Sequence, residues 1–275
     1  MSGDTSDAAP VSRRAFWTGS VSIGLVNIPV RLAVMVKEHT IPFRLLHKKD
    51  GQPVRYERVC TRDNEVVPWE EIVRGFEVGE GEYIVLEKEE IEAIRPESDR
   101  RIRIDRFINV LSVDPVYFDR TYLLLPDGPA DAYALLRDTF RTMGRAGIGR
   151  ITLRTKEYPV LVREYNDALI ITTLHYPDEV TEPGRVAELS GIPVPGKKEL
   201  SLAEKIVTDL SGEFGIEEYH DTYRERIEAL INSKLAGTTY HVEKPKAAEV
   251  RDLMSALEET LAKMKAERAS VKGSD

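Results

Sequence analysis

Cysteine is nearly absent: Cys60 is the only one in 275 residues. That excludes an internal disulfide framework and any cysteine-rich zinc site within one chain, and it fits a reducing compartment. No apolar run approaches the roughly 20 residues that a membrane helix needs. Met1 to Pro10 is polar, acidic and small, with none of the basic-then-apolar layout of a secretory leader. The expected location is cytoplasmic, without a membrane partner. Catalytic signatures are missing too. There is no Gly-x-x-x-x-Gly-Lys-Ser/Thr phosphate cradle, no nucleophile elbow and no histidine pair at metal-binding spacing. The five histidines, His39, His47, His175, His220 and His241, lie at least eight residues apart. His220, between Tyr219 and Asp221, reads as a local cap or packing group, and Cys60 as a packed thiol. No spacing singles out an acid/base pair of carboxylates. The expectation is a protein with no catalytic residue, no metal and no cofactor.

What the chain does have is apolar material for a core, at 41% hydrophobic residues, and 31% charge. The net charge of −8 suggests poor affinity for polyanions, but the charge map does not. From Arg13 to Arg62 there are ten Lys/Arg against three Asp/Glu, and from Arg137 to Arg163 seven against two. Asp63 to Glu92 carries eleven acids and two bases, and Glu164 to Glu259 twenty acids and ten bases. Exposed charges farther apart than a Debye length of about 8–10 Å are screened, so binding follows the local surface rather than the total. One such cluster is usually an ordinary solvated face. Two narrow those odds without reversing them.

Residues 1–12 read as a loose tail. Ala15 to Leu32 is β-branched and aromatic, with Pro29 marking a bend or an edge. Ile41 to Lys48 and Val54 to Val59 flank Asp50-Gly51, which predicts a hairpin carrying Arg44, Lys48, Lys49, Arg55 and Arg58. Glu82 to Leu86 reads as a strand and Glu87 to Ile94 as a short helical segment. In Arg101 to Ile104 the arginines alternate with isoleucines, and Asp131 to Thr142 has helical spacing of Tyr133, Leu136 and Phe140. Beyond Gly147 and Gly149, the alternation of Ile151 and Leu153 with Arg150, Arg154 and Lys156 predicts three cations along one sheet face. Val160 to Arg163 and Ala168 to His175 continue the sheet. Pro177 to Lys198 is a proline-rich loop. Helical stripes follow: one from a capping box at Ser201–Glu204 to Gly212, and one of Tyr219, Tyr223, Ile227, Leu230, Ile231 and Leu235. The third comprises Val250, Leu253, Met254, Leu257, Leu261 and Met264.

Arg14 to Leu32 (RAFWTGSVSIGLVNIPVRL) closely resembles the opening motif of prokaryotic Ku proteins. Leu46 to Gly51 (LHKKDG), Arg58 to Cys60, Glu71 to Phe76, Ile104 to Phe107, Asp114 to Phe118 (DPVYF), Tyr122 to Pro126 (YLLLP) and Glu218 to Arg224 (EYHDTYR) match in the same order. The resemblance covers roughly residues 13 to 265.

It implies an α+β, mainly β fold: a Ku-type β-barrel core with an inserted DNA-encircling bridge and a helical C-terminal arm. The implied divisions are a tail at 1–12, a core at 13–198 with the bridge at about 37–80, an arm at 199–240, and a C-terminal helical segment at 241–275. The implied partners are double-stranded DNA ends, a second copy in a homodimeric ring, and an ATP-dependent DNA ligase, in a nucleoid-associated role in non-homologous end joining. The DNA-contacting candidates are Arg31, Lys37, Arg44, Lys48, Lys49, Arg55, Arg58, Arg62, Arg150, Arg154 and Lys156. The stripe from Val250 to Met264 is the candidate ligase-docking helix, with packing onto the body or the other subunit as its alternative. Some relatives carry Cys-x-x-Cys where this chain has Cys60-Thr61-Arg62-Asp63, so no metal is expected there. Neither the lysine-rich tail of some bacterial members nor the von Willebrand-like domain of eukaryotic ones is expected. Two rival readings remain: an end-processing lyase, which needs a lysine of depressed pKa that nothing marks, and an acidic β-barrel scaffold binding only proteins.

Overall fold

The computed structural model describes residues 14–38, 40–94, 99–238 and 253–272. Two compact units divide the chain, residues 1–182 and 183–275.

The first unit is built on seven strands: β1 (Ala15–Ile23), β2 (Val26–Val34), β5 (Arg101–Ile108), β6 (Phe118–Pro126), β7 (Ala146–Leu153), β8 (Lys156–Tyr165) and β9 (Ala168–Leu174). They close in the order β1-β2-β6-β9-β8-β7-β5. Neighbours are antiparallel except β1 and β5, whose parallel pairing of Ser20 with Arg101 and Ser22 with Arg103 shuts the barrel. Alternate residues point inward, as a period of two requires. Val21, Val30, Leu32, Ile102, Leu124, Val160, Val162, Leu169 and Ile171 fill the interior with at most 1% exposure. Burying each such side chain is worth about 1.5–3 kcal/mol.

The run from Ala15 to Leu32 is thus two strands, turned at Gly24 with φ +59°. Pro29 lies one residue outside the β2–β6 ladder, which begins at Val30 opposite Pro126, so its missing N–H breaks no bond there. The helix α2 (Ala130–Met143) joins β6 to β7 and adds Tyr133, Leu136 and Phe140 to the interior cluster. The Tyr133 hydroxyl donates to Leu124 O and accepts from Leu169 N, both at 2.8 Å, at the end of the barrel where β6 stops and β9 starts.

At the opposite end β2 stops at Val34 and β5 begins at Arg101, so the insertion between them leaves and re-enters the barrel at one mouth. The insertion has little regular structure. The expected hairpin at 41–59 is a chain reversal rather than a ladder: Leu46 bridges Pro53, with His47 N donating to Gln52 O and Val54 N to Leu45 O. Pro53 has no N–H to extend the pairing, and Phe43, Leu45 and Val54 are exposed, so no second layer rewards a longer one. A second reversal follows, with Val59 bridging Val66. The ribbon β3 (Arg74–Gly79) and β4 (Glu82–Leu86) and the short α1 (Lys88–Ala93) complete the insertion.

The second unit contains α3 (Lys197–Leu210), α4 (Thr222–Leu235) and α5 (Leu253–Lys272). The first of these starts a turn earlier than the Ser201 capping box predicts, because Glu199 reaches back to Gly196 N at 2.7 Å. Tyr219 stands before α4, where Asp221 caps Arg224 N at 3.0 Å, so it is not part of that helix's stripe. Among the described residues no helix is long and apolar enough to cross a membrane.

Candidate nucleic-acid interface

Four arginines share the outer face of the adjacent strands β7, β5, β1 and β2. The register sets Arg103 opposite Arg150, Arg101 opposite Ser20, and Arg31 opposite Thr18. Their inward neighbours Ile102, Ile151, Val30 and Leu32 are buried, which holds the arginines outward. Three of the four are partly balanced by carboxylates. Arg103 grips Asp99 at 2.5 Å, and Arg150 lies 3.5 Å from Asp105 and 3.7 Å from Glu157. Arg31 Nε is 3.1 Å from Asp127 yet has no aligned acceptor, so its attraction is chiefly that of charge. Arg101 and Arg103 were not among the residues expected to touch DNA. Their alternation with Ile102 and Ile104 carried the signal, but the strand that sets them beside Arg150 is far away in sequence.

The second basic segment does not line one face. The strand β7 ends at Leu153, Arg154 occupies the turn at φ +58°, and Lys156 opens β8. Lys156 is in phase with Tyr158 and Val160, so it turns to the barrel mouth while Arg150 faces outward. There Lys156 Nζ meets Glu179 at 2.7 Å and lies 5.2 Å from the Tyr158 ring centroid. The Lys156 hydrogen bond and the Tyr176 backbone N–H hold the Glu179 carboxyl down to about 2, and Glu179 in turn raises Lys156. Elsewhere in this segment Arg137 pairs with Asp138 at 2.8 Å, and Arg141 with Asp167.

The cations of the insertion are the freest. Lys37, Arg44, Lys48, Lys49 and Arg62 are exposed and make no ion pair among the described residues. Arg55 pairs with Glu57 at 2.5 Å, and Arg58 lies over the Trp69 ring at 4.4 Å. Both reversals share one design. Asp50 accepts from Gln52 N at 3.1 Å beside Gly51 at φ +70°, and Asp63 accepts from Glu65 N at 3.0 Å beside Asn64 at φ +61°. These backbone bonds lower both carboxyls, helped by His47 at Asp50 and by the Cys60 thiol at Asp63. Each reversal presents cations at its turn, Lys48 and Lys49 in one and Arg62 in the other. Over residues 37–80 eight bases meet nine acids, so the insertion is polarised along its length rather than basic throughout.

The candidate ligase-docking stripe is only partly described. Val250 lies outside the described residues, as do the side chains of Leu253 and Met264. Met254 and Leu257 are half-buried, and Leu261 is 9% exposed on α5, which packs with α3 in the second unit. On α4, by contrast, Tyr223 is 72% and Leu235 82% exposed.

Comparison with known proteins bears directly on this architecture. The family model for the Ku70/Ku80 beta-barrel domain matches residues 22–202. A protein of Bacillus subtilis (strain 168) named non-homologous end joining protein Ku is 35% identical over 259 residues, covering 91% of this chain and 82% of its own. Proteins of the same name in Anaeromyxobacter sp. (strain K) and Archaeoglobus fulgidus are 39% identical over 253 residues and 36% over 259. The first covers 90% of this chain and 85% of its own, the second 92% and 100%. With a closed seven-stranded barrel carrying a long insertion at one mouth, and relatives matched over 82–100% of their own length, this chain belongs to the Ku family.

Proposed function

We propose that this protein binds the ends of double-stranded DNA without regard to sequence, as a homodimeric ring, and recruits an ATP-dependent DNA ligase for end joining. The observation that carries the reading is the insertion itself: rooted at one barrel mouth by both its ends, it presents Lys48, Lys49 and Arg62 on turns, unpaired among the described residues. Lys and Arg contacts to phosphate position a duplex but carry no base information, which suits an activity that must accept any broken end. The names of the relatives, non-homologous end joining protein Ku, support the same role. So does the ribbon of β3 and β4, where Phe76, Tyr83, Ile84 and Val85 are all more than half exposed. Two strands with no covering layer are marginal in water, and a second copy supplies what is missing. The acidic stretches keep the outside of the ring from binding DNA side-on.

A ring must be threaded from an end. Linear duplex should therefore bind well, covalently closed circles of equal length poorly, and light scattering should give twice the chain mass of 31.1 kDa. Log K should fall with log salt by roughly 0.9 per neutralised phosphate. Equal affinity for the two DNA forms, or a monomer at working concentration, rejects the ring.

A further inference from the structure

The barrel mouth opposite α2 opens into a cavity of about 730 Å³. Its floor is aromatic, made by inward residues near the strand ends: Trp17, Tyr122 and Tyr158, with Phe16 at the edge and half exposed. Gly19 makes the floor possible, since a Cβ there would lie 2.4 Å from the Trp17 ring. The rim is charged, and its charges divide cleanly. The acids are occupied: Asp119 accepts from the Thr173 hydroxyl at 2.9 Å, and Glu179 is held by Lys156 and Tyr176 N, with His175 Nδ1 at 3.5 Å. Two cations are not, because neither the Arg120 nor the Arg154 guanidinium has a partner among the described residues. The Trp17 Nε1–H is likewise buried without an acceptor.

We propose that this mouth receives the terminal nucleotides of a single-stranded overhang, a base stacking on the aromatic floor while Arg120 and Arg154 hold the adjoining phosphates. Aromatic platforms beside cations bind single strands in this way, because every base offers a π-face and every nucleotide an anion. The volume lies within the range of small-ligand sites, and barrel mouths are a common place for them. The inference rests on the end-binding reading for its setting: the DNA-contacting insertion springs from and returns to this same mouth. A duplex is too wide to enter, so the site would act only on an unpaired end.

The test compares a blunt duplex with one carrying a four-thymidine 3′ overhang, for the full chain and for the double variant Phe16→Ala, Arg120→Gln. One stacked base should favour the overhang about fivefold or more in the wild type. The double variant should lose that preference and keep its blunt-end affinity. If it does not fold, Arg120→Gln alone is measured for the same loss. Independently, Trp69→Phe leaves Trp17 as the only tryptophan, and tetrathymidylate should quench its fluorescence. Equal binding of both duplexes with no quenching overturns the proposal, as does quenching by hexaglutamate but not by tetrathymidylate. Quenching by tetrathymidylate without binding of any duplex would uphold the mouth and reject end binding instead.

Discussion

Tyr133 and Glu179 show how single side chains hold the two ends of the barrel. The Tyr133 hydroxyl serves a carbonyl of β6 and an N–H of β9 at once, and burial pushes its own ionisation up. Tyr133→Phe keeps the packing and removes both bonds. Leaving two buried backbone groups unpaired should cost about 1–3 kcal/mol, read as a lower urea midpoint at unchanged m-value. Glu179 belongs to the other end. Its folded pKa, at about 2, lies below the ordinary 4.5, so its contribution to stability is fully present above 4.5 and is lost as pH falls toward 2. Carboxyl NMR should find Glu179 still ionised at pH 3, and Lys156→Met should move its midpoint up toward the ordinary value. An unchanged midpoint in that variant would mean that the Tyr176 N–H and His175 hold the charge without Lys156.

Among the elements, the strands of the barrel and the turns of the insertion carry charge differently. On β7 Arg150 and on β5 Arg103 have carboxylates within reach, so truncating either exchanges a protein partner for water and changes little. In the turns at 47–52 and 60–65, Lys48, Lys49 and Arg62 make no ion pair among the described residues, which leaves them for phosphate to neutralise. Lys48, Lys49, Arg55 and Arg58 changed together to alanine should therefore weaken all duplexes alike and flatten the salt slope by roughly 0.9 for each phosphate no longer neutralised. Competition between duplexes of different sequence checks the first point and a salt series the second. An undiminished affinity would remove the insertion from the interface. The Arg58 change also strips a cation from the face of Trp69, so part of its effect would come from a loosened turn.

For the assembled protein, the decisive question at the C-terminus is what α5 serves. Leu261 is covered, and Met254 and Leu257 half covered, by packing within the second unit, which leaves less of the stripe for a ligase than its sequence alone suggests. Removing residues 245–275 should lower the stimulation of an ATP-dependent ligase while end binding, measured separately by gel shift, persists. If both fall together, α5 acts by packing and not by docking. The exposed Tyr223 and Leu235 on α4 then become the better surface for a partner.

Much of this was legible from local pattern. The alternation of Ile102 with Arg101 and Arg103, the spacing of Tyr133, Leu136 and Phe140, and the segregation of bases before Arg62 from acids after it are short-range properties. The collinear motifs from Arg14 to Arg224 carried the family. Other features were hidden because they depend on where strands end and which distant strands meet. Asn166-Asp167, with φ of +45° and +64°, is a turn of residues that tolerate this backbone, but Arg154 takes φ +58° with no such mark, so the strand seemed to run on through Lys156. Ending β7 at Leu153 turned one cation inward to Glu179 and left another at the rim. The parallel closure of β1 on β5 then gathered an aromatic floor and a charged rim from six strands into one mouth. Charge and periodicity were written in the chain; only closure of the barrel decided which charges face one another, because that is settled by pairing between strands far apart in sequence.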